Sequence, residues 1–228
     1  MLKFEVLTLF PKIFSSFLEE SLIKKAIMAR YLQVDLINFR NQGYGKHLNV
    51  DGAPYGGGPG MLLRIEPIAM TIERQNRYHH TNGSETHSVL ITPQGQTFTQ
   101  AKAEELSQRK EVLTLICGRY EGFDERIRNL VDEEISGGDF ICLGGEVIAM
   151  MMIEAASRLV PNVIGNKESV EQESFCDSTL EYPQYTRPQS FQGMNVPEEL
   201  ISGNHKKIEE WRAKQAENKT KIRRPDLL

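Results

Sequence analysis

Val112-Leu113-Thr114-Leu115-Ile116-Cys117-Gly118-Arg119-Tyr120-Glu121-Gly122 decides the fold. A run of strand-length apolar residues, rich in branched side chains, stops at a glycine. A charged, aromatic turn follows, and beyond it Asp124 is placed to cap a helical pattern over about 124–131. Two similar units flank it. Val89 to Ile91 runs into Thr92-Pro93-Gln94-Gly95, and Phe140 to Leu143 runs into Gly144-Gly145, with helical patterns at 99–109 and 146–159. Strand alternating with helix implies an α/β domain with a mostly parallel sheet. In such sheets ligands bind beyond the carboxyl ends of the strands, so the three glycine-bearing turns are expected to line one pocket.

Residues 3–9 alternate as a strand, Ser21 caps a helix carrying Leu22, Ile23, Ala26 and Ile27 on one face, and Val34 and Leu36 mark a second strand. A glycine-bearing loop over 41–60 leads into a helix that has Pro67 in its first turn and ends near Gln75, and 77–87 reads as exposed loop. From Pro161 to about Ser178 the apolar periodicity lapses among Glu168, Glu171, Glu173 and Asp177. Beyond it, Pro183, Pro188 and Pro197 punctuate turns, and a helix starting near Asn204 presents Ile208, Trp211 and Gln215 at helical spacing. The expected organisation is an α/β domain over 1–160, a linker over 161–178 and a small all-helical domain over 179–228.

Composition narrows the chemistry. The chain has 228 residues, of which 39% are hydrophobic and 25% charged, enough for a packed core plus an appendage. The longest apolar run, Val147 to Ile153, is far shorter than the ~20 residues of a membrane span. With no signal-peptide pattern at Lys3, Glu5 and Pro11, a cytoplasmic protein is expected. Cys117, Cys142 and Cys176 are odd in number and widely spaced, which argues for reduced thiols. The histidines have neither metalloprotease nor zinc-finger spacing. Net charge is −4, yet residues 201–228 carry eight Lys and Arg against four Asp and Glu, leaving −8 for the first 200. A basic surface is thus segregated at the C-terminal end.

The individual motifs carry less than their sum. Pro54-Tyr55-Gly56-Gly57-Gly58-Pro59-Gly60 fits neither the dinucleotide fingerprint nor the P-loop, so a nicotinamide-dependent or nucleoside-triphosphate enzyme is disfavoured and a purely structural turn stays open. Gly118 to Arg126 suits an amphipathic ligand or a solvated strand-to-helix connection. Arg158, near the end of an apolar helix, suits either capping or catalysis. Glu173 lies in an acidic segment that is ordinarily just solvated.

Taken in order, these segments resemble the bacterial tRNA (guanine-N1)-methyltransferase family, TrmD, of the SPOUT superfamily. The resemblance rests on Leu9-Phe10-Pro11, Asp51 through Met61, Thr92-Pro93-Gln94-Gly95, Cys117 through Asp124, Gly138-Asp139, Gly144-Gly145-Glu146, Ser157-Arg158, Tyr185-Thr186-Arg187-Pro188 and Arg223 through Leu228. It implies a C-terminal trefoil knot in the α/β domain, an exception to the no-knot rule, and a homodimer whose active sites draw on both subunits. It also implies methyl transfer from S-adenosylmethionine to N1 of guanosine 37 of tRNA, 3′ of the anticodon. The donor pocket it implies comprises Leu90, Pro93, Gly95, Gly118, Tyr120, Gly138, Phe140, Leu143, Gly144 and Gly145, with Glu121 linked to Mg²⁺ dependence. Arg158 would stabilise charge developing on guanine O6. Aligning on Ser174-Phe175 places Glu173 where the family has an aspartate base, with Asp177 as the fallback. Lys206, Lys207, Arg212, Lys214, Arg223 and Arg224 would hold the phosphates of the anticodon stem-loop. The glutamate leaves open a second reading, a noncatalytic RNA-binding module on the same fold.

Overall fold

The computed structural model describes residues 1–165, 173–175 and 178–228. The chain divides into two compact units, Met1–Gly165 and Asn166–Leu228. Glu168, Glu171, Cys176 and Asp177, singled out in the sequence, lie outside the described residues.

The first unit is built on a five-stranded parallel sheet in the order β2-β1-β6-β5-β7, with β1 at Leu2–Thr8, β2 at Leu32–Asn38, β5 at Thr86–Thr97, β6 at Val112–Cys117 and β7 at Glu133–Ser136. Helices α1 (Ser15–Glu19), α2 (Ser21–Met28), α3 (Ile65–Thr81) and α4 (Gln100–Gln108) lie between its strands, α5 (Glu146–Ser157) follows β7, and a small ribbon pairs β3 (Asp51–Gly52) with β4 (Leu62–Leu63). Side-chain alternation sorts the core into two layers. Phe4, Val6, Val89, Ile91, Leu113 and Leu115 pack with Leu106, Met152, Ile153 and Ala156 of α4 and α5. Leu7, Leu90 and Ile116 face the other way, onto Ile68 and Ile72 of α3.

Four sequence expectations are corrected. Phe140 to Leu143 is not a strand: Phe140, Ile141 and Leu143 are 53%, 82% and 91% exposed, so this apolar run forms a surface turn and contributes nothing to the core. The fifth strand is Glu133–Ser136, whose polar residues suit a sheet edge, where Glu133 pairs with His87 and Lys102 and Glu134 with Arg128. Residues 77–87 are not loop, because α3 continues to Thr81 and β5 begins at Thr86. Ser21 does not cap α2: Glu20 is the cap residue, while Ser21 opens the helix in the left-handed region. The 124–131 segment is a 3₁₀ helix, Glu125–Leu130, with Asp124 accepting from the Arg126 N–H at 3.0 Å as expected of a cap.

The edge strand carries a testable electrostatic element. A hydrogen bond from His87 and contacts to Lys102 overcome partial burial and hold the Glu133 carboxyl at about 2, below its usual 4.5. A depressed folded pKa stabilises above the unfolded value and loses that contribution as pH falls from about 4.5 through about 2. Glu133→Gln is expected to lower unfolding free energy at pH 7 by about 2 kcal/mol, discounted for partial exposure, with the gap from the parent closing in that acid window. Denaturant melts at several pH values check it, and a gap independent of pH would refute it.

The second unit places a two-stranded hairpin, β8 (Ser190–Phe191) with β9 (Met194–Asn195), before helices α6 (Glu198–Ile201) and α7 (His205–Arg223), so it is not purely helical. Asn204 caps α7, accepting from the Lys207 N–H at 3.2 Å. Buried Thr220 donates to the Ala216 carbonyl and accepts from the Leu180 N–H, which ties the incoming segment to the helix. Among the described residues no helix is long and apolar enough to cross a membrane.

Candidate active site

Strands β5 and β6 run parallel and adjacent, so their carboxyl ends open on the same side of the sheet. There the chain forms a cavity of about 370 Å³. Its walls are Thr92 and Pro93 in the irregular part of β5, Gly118 through Phe123 after β6, and Phe140 through Gly145 before α5, with Ser136 and Gly137 beside them. The three glycine-bearing turns do converge. The β5 turn interrupts its own ladder: Ile91 and Gln96 both pair with Ile135, so Thr92–Gly95 loops out between them.

Two glycines are required by close approach. A Cβ on Gly145 would lie 2.9 Å from the Cys117 Cα and 3.1 Å from the Gly118 nitrogen, backbone that has nowhere to move. Its own N–H donates to the Gly118 carbonyl at 3.0 Å, which locks the start of α5 onto the end of β6. A Cβ on Gly144 would lie 2.4 Å from Arg119 Nε.

That arginine is the centre of a network joining residues far apart in sequence. Arg119 Nη2 lies 2.9 Å from Glu146 Oε2, and Arg119 Nε donates to Glu146 Oε1 at 3.2 Å. Thr8 Oγ1 donates to the same Oε1 at 2.8 Å and accepts from the Phe10 N–H. The guanidinium stacks 4.5 Å over the Phe10 ring and reaches the Leu143 carbonyl. Glu146 is buried in the first turn of α5, where the helix dipole favours an anion. The leading segment, the β6 turn and the α5 turn are thereby fastened to one another. Burial, aided by the Glu146 charge, pushes the Cys117 thiol well up, so it is an inert core group.

The proline-glycine loop closes the same turn from outside. Glu121 N–H donates to Met61 O at 3.0 Å, Leu63 N–H to Gly122 O at 2.9 Å and Asp124 N–H to Leu63 O at 3.0 Å. A Cβ on Gly60 would lie 2.3 Å from the Glu121 side chain. The loop has a structural task that its sequence left undecided.

Of the residues expected at a donor pocket, Pro93, Gly118, Tyr120, Phe140, Leu143, Gly144 and Gly145 line the cavity, as does Glu121. Leu90, Gly95 and Gly138 do not. Leu90 is fully buried in the α3-side core, and Gly95 leaves room for the backbone of Glu134 and Ile135, which a Cβ would meet at 2.4 to 2.6 Å. Gly138 holds a positive φ beside Phe140, with its N–H on Ser136 Oγ. Sequence reasoning missed Ile91, Ser136, Gly137, Ile141, Cys142 and Ile148 as lining residues. The apolar run at 140–143 was the available signal, masked by its resemblance to a strand.

Arg158 is half-buried at the C-cap of α5, whereas Gly144 and Gly145 precede its first residue. At 1.5 Å per residue, α5 sets Arg158 about 20 Å from the cavity end of its own helix. Glu173 is half-buried in the second unit. Among the described residues no three His, Cys, Asp or Glu side chains gather to hold a metal ion, so Glu121 by itself does not make a Mg²⁺ site. Of the basic residues expected on the second unit, Lys206, Lys207, Lys214 and Arg223 are exposed on α7, while Arg224 is engaged bidentately by Asp226 and Arg212 lies over the Tyr182 ring at 4.7 Å.

The sequence matches the family model described as tRNA (Guanine-1)-methyltransferase TrmD over residues 2–228. Among curated relatives, the tRNA (guanine-N(1)-)-methyltransferase of Desulfitobacterium hafniense strain Y51 is 50% identical over 227 residues, covering 100% of this chain and 84% of that protein. The enzyme of the same name from Pediococcus pentosaceus is 50% identical over 227 residues, covering 100% and 91% respectively. That from Geotalea uraniireducens strain Rf4 is 49% identical over 229 residues, covering 100% and 90%.

Proposed function

The chain belongs to the tRNA (guanine-1)-methyltransferase family, TrmD, and transfers a methyl group to N1 of a guanosine in tRNA; we propose that it does so at position 37, in the cytoplasm, with S-adenosylmethionine seated in the three-turn cavity. The observation that carries this reading is the convergence of three backbone turns, two of them glycine-tight, around a space of about 370 Å³. Gly118, Gly144 and Gly145 bring backbone amides and carbonyls to the wall, and Tyr120, Phe140 and Leu143 offer apolar faces to a flat nucleoside. The residues fit the donor.

When bound, the donor supplies a methyl group already activated by its sulfonium, so the protein's work is to position the nucleophile and manage its proton. Guanine N1 carries that proton, which Glu173, or Asp177 in its place, accepts as the methyl arrives. Negative charge then spreads toward O6, and an arginine aimed there stabilises it. We assign that cation to Arg158 of the partner subunit, in a homodimer. The length of α5 supports the assignment, because Arg158 stands about 20 Å from the cavity end of its own helix. The trefoil knot is carried by the family resemblance. The exposed lysines of α7 suit phosphates of the anticodon arm.

Incubating tRNA transcript with the chain and donor, with and without Mg²⁺, is expected to yield N1-methylguanosine by mass analysis of nuclease digests. Raising salt is expected to weaken tRNA binding markedly while leaving donor binding nearly unchanged. Donor binding with no methylated guanosine would favour the noncatalytic RNA-binding module instead.

A further inference from the structure

The second unit holds a cavity of about 710 Å³ of its own. The segment 182–189 forms one wall with Tyr182, Tyr185 and Arg187, and α7 forms another with Ile208 and Arg212. Its chemistry departs from that of the rest of the molecule. The chain has 31 Asp and Glu against 27 Lys and Arg, yet the twelve lining residues include two arginines and no carboxylate. The guanidinium of Arg212 is stacked on the Tyr182 ring, and its Nε is buried without a hydrogen-bond partner among the described residues. Arg212 lines the cavity together with Arg187, so the two guanidiniums can meet an anion there. Tyr185 leans on Trp211 with ring centroids 6.4 Å apart, and half of its surface stays exposed. A ring steadied by a neighbouring aromatic and half exposed can stack on a base. Gln184 and Gln189 add amides of either hydrogen-bonding sense.

Aromatic faces, guanidiniums, amides and no anion together describe a receptor for a base with its phosphate. We propose that this cavity takes one unstacked nucleotide of the bound tRNA, its base against Tyr185 and its phosphate on Arg187 and Arg212. The inference rests on the chain being a tRNA methyltransferase. It adds a contact separate from the target guanosine, which anchors the RNA through the second unit. Apolar lining from Val196, Leu200 and Ile208 excludes water from the edge of the stacked base.

The test uses the full chain, tRNA transcript and two substitutions of different character. Tyr185→Ala is expected to raise KM for tRNA by about tenfold or more while kcat at saturating tRNA and donor affinity hold, and Tyr185→Phe to restore KM. Because stacking displaces no counterions, the salt dependence of tRNA binding should be unchanged in Tyr185→Ala. Arg187→Gln, on an exposed side chain, should raise KM as well and reduce the slope of log affinity against log salt by about one. If Tyr185→Ala destabilises the unit, Arg187→Gln decides alone. A tRNA KM and salt slope in Arg187→Gln equal to the parent's would overturn the proposal. Should the parent chain make no N1-methylguanosine, the enzymatic reading fails, and filter binding of the same variants to tRNA still decides the cavity.

Discussion

Gly144→Val is expected to reduce affinity for S-adenosylmethionine by more than about 100-fold, equivalent to about 2.7 kcal/mol, with the chain still folded. The added Cβ would sit 2.4 Å from Arg119 Nε, so the arginine has to leave its place between Gly144 and the Phe10 ring. It cannot leave without breaking its contacts with buried Glu146 and the Leu143 carbonyl. Whichever way it turns, the cavity wall formed by the β6 and α5 turns is rebuilt, and the valine branches add bulk at the rim. Gly145→Val goes further. Its Cβ meets Cys117 and Gly118 backbone rather than a movable side chain, so the junction of β6 and α5 must separate, and thermal stability falls along with donor binding. Calorimetric titration with donor, run beside thermal melts, separates the two cases. Parental affinity in Gly144→Val would remove the donor from this cavity.

The cavity was legible in the sequence because its parts are local. Each apolar run that ends in glycine announces a strand and its exit, and a parallel sheet brings those exits to one edge whatever the rest of the chain does. The same logic misread Phe140–Leu143: an apolar run four residues long has the composition of a core strand, and only the tertiary structure reveals that it lines a cavity. It also passed over Glu133–Ser136, where two glutamates hide a strand that survives at the edge through His87, Lys102 and Arg128. The contact of Thr8 with Glu146 was beyond reach for a different reason. It joins positions 138 residues apart, and no periodicity encodes which buried carboxylate meets which distant hydroxyl. The α7 start at Asn204 was readable because a cap is satisfied within three residues.

Removing both linker carboxylates, in Glu173→Gln with Asp177→Asn, is expected to lower kcat by about 10²–10⁴ while donor affinity stays near parental. The lining that the structure describes for the donor cavity comes from the first unit, so ground-state binding of donor has no reason to change. What is lost is the acceptor for the N1 proton, and without it the methylated guanine must carry charge that no group removes. The single substitutions then assign the base: the residue whose loss reproduces the double variant holds it. Arg158→Ala should cost a similar share of kcat, about 3 kcal/mol of transition-state stabilisation, by leaving O6 without its cation. Mixing subunits tests where that arginine acts. A chain with Arg158→Ala keeps an intact cavity, and a chain with Gly144→Val keeps an intact arginine. If the partner's Arg158 completes each site, co-assembled heterodimers of two inactive chains regain one working site. If each chain uses its own arginine, neither site in the heterodimer has both parts, the mixture stays inactive, and the two-subunit mechanism is wrong.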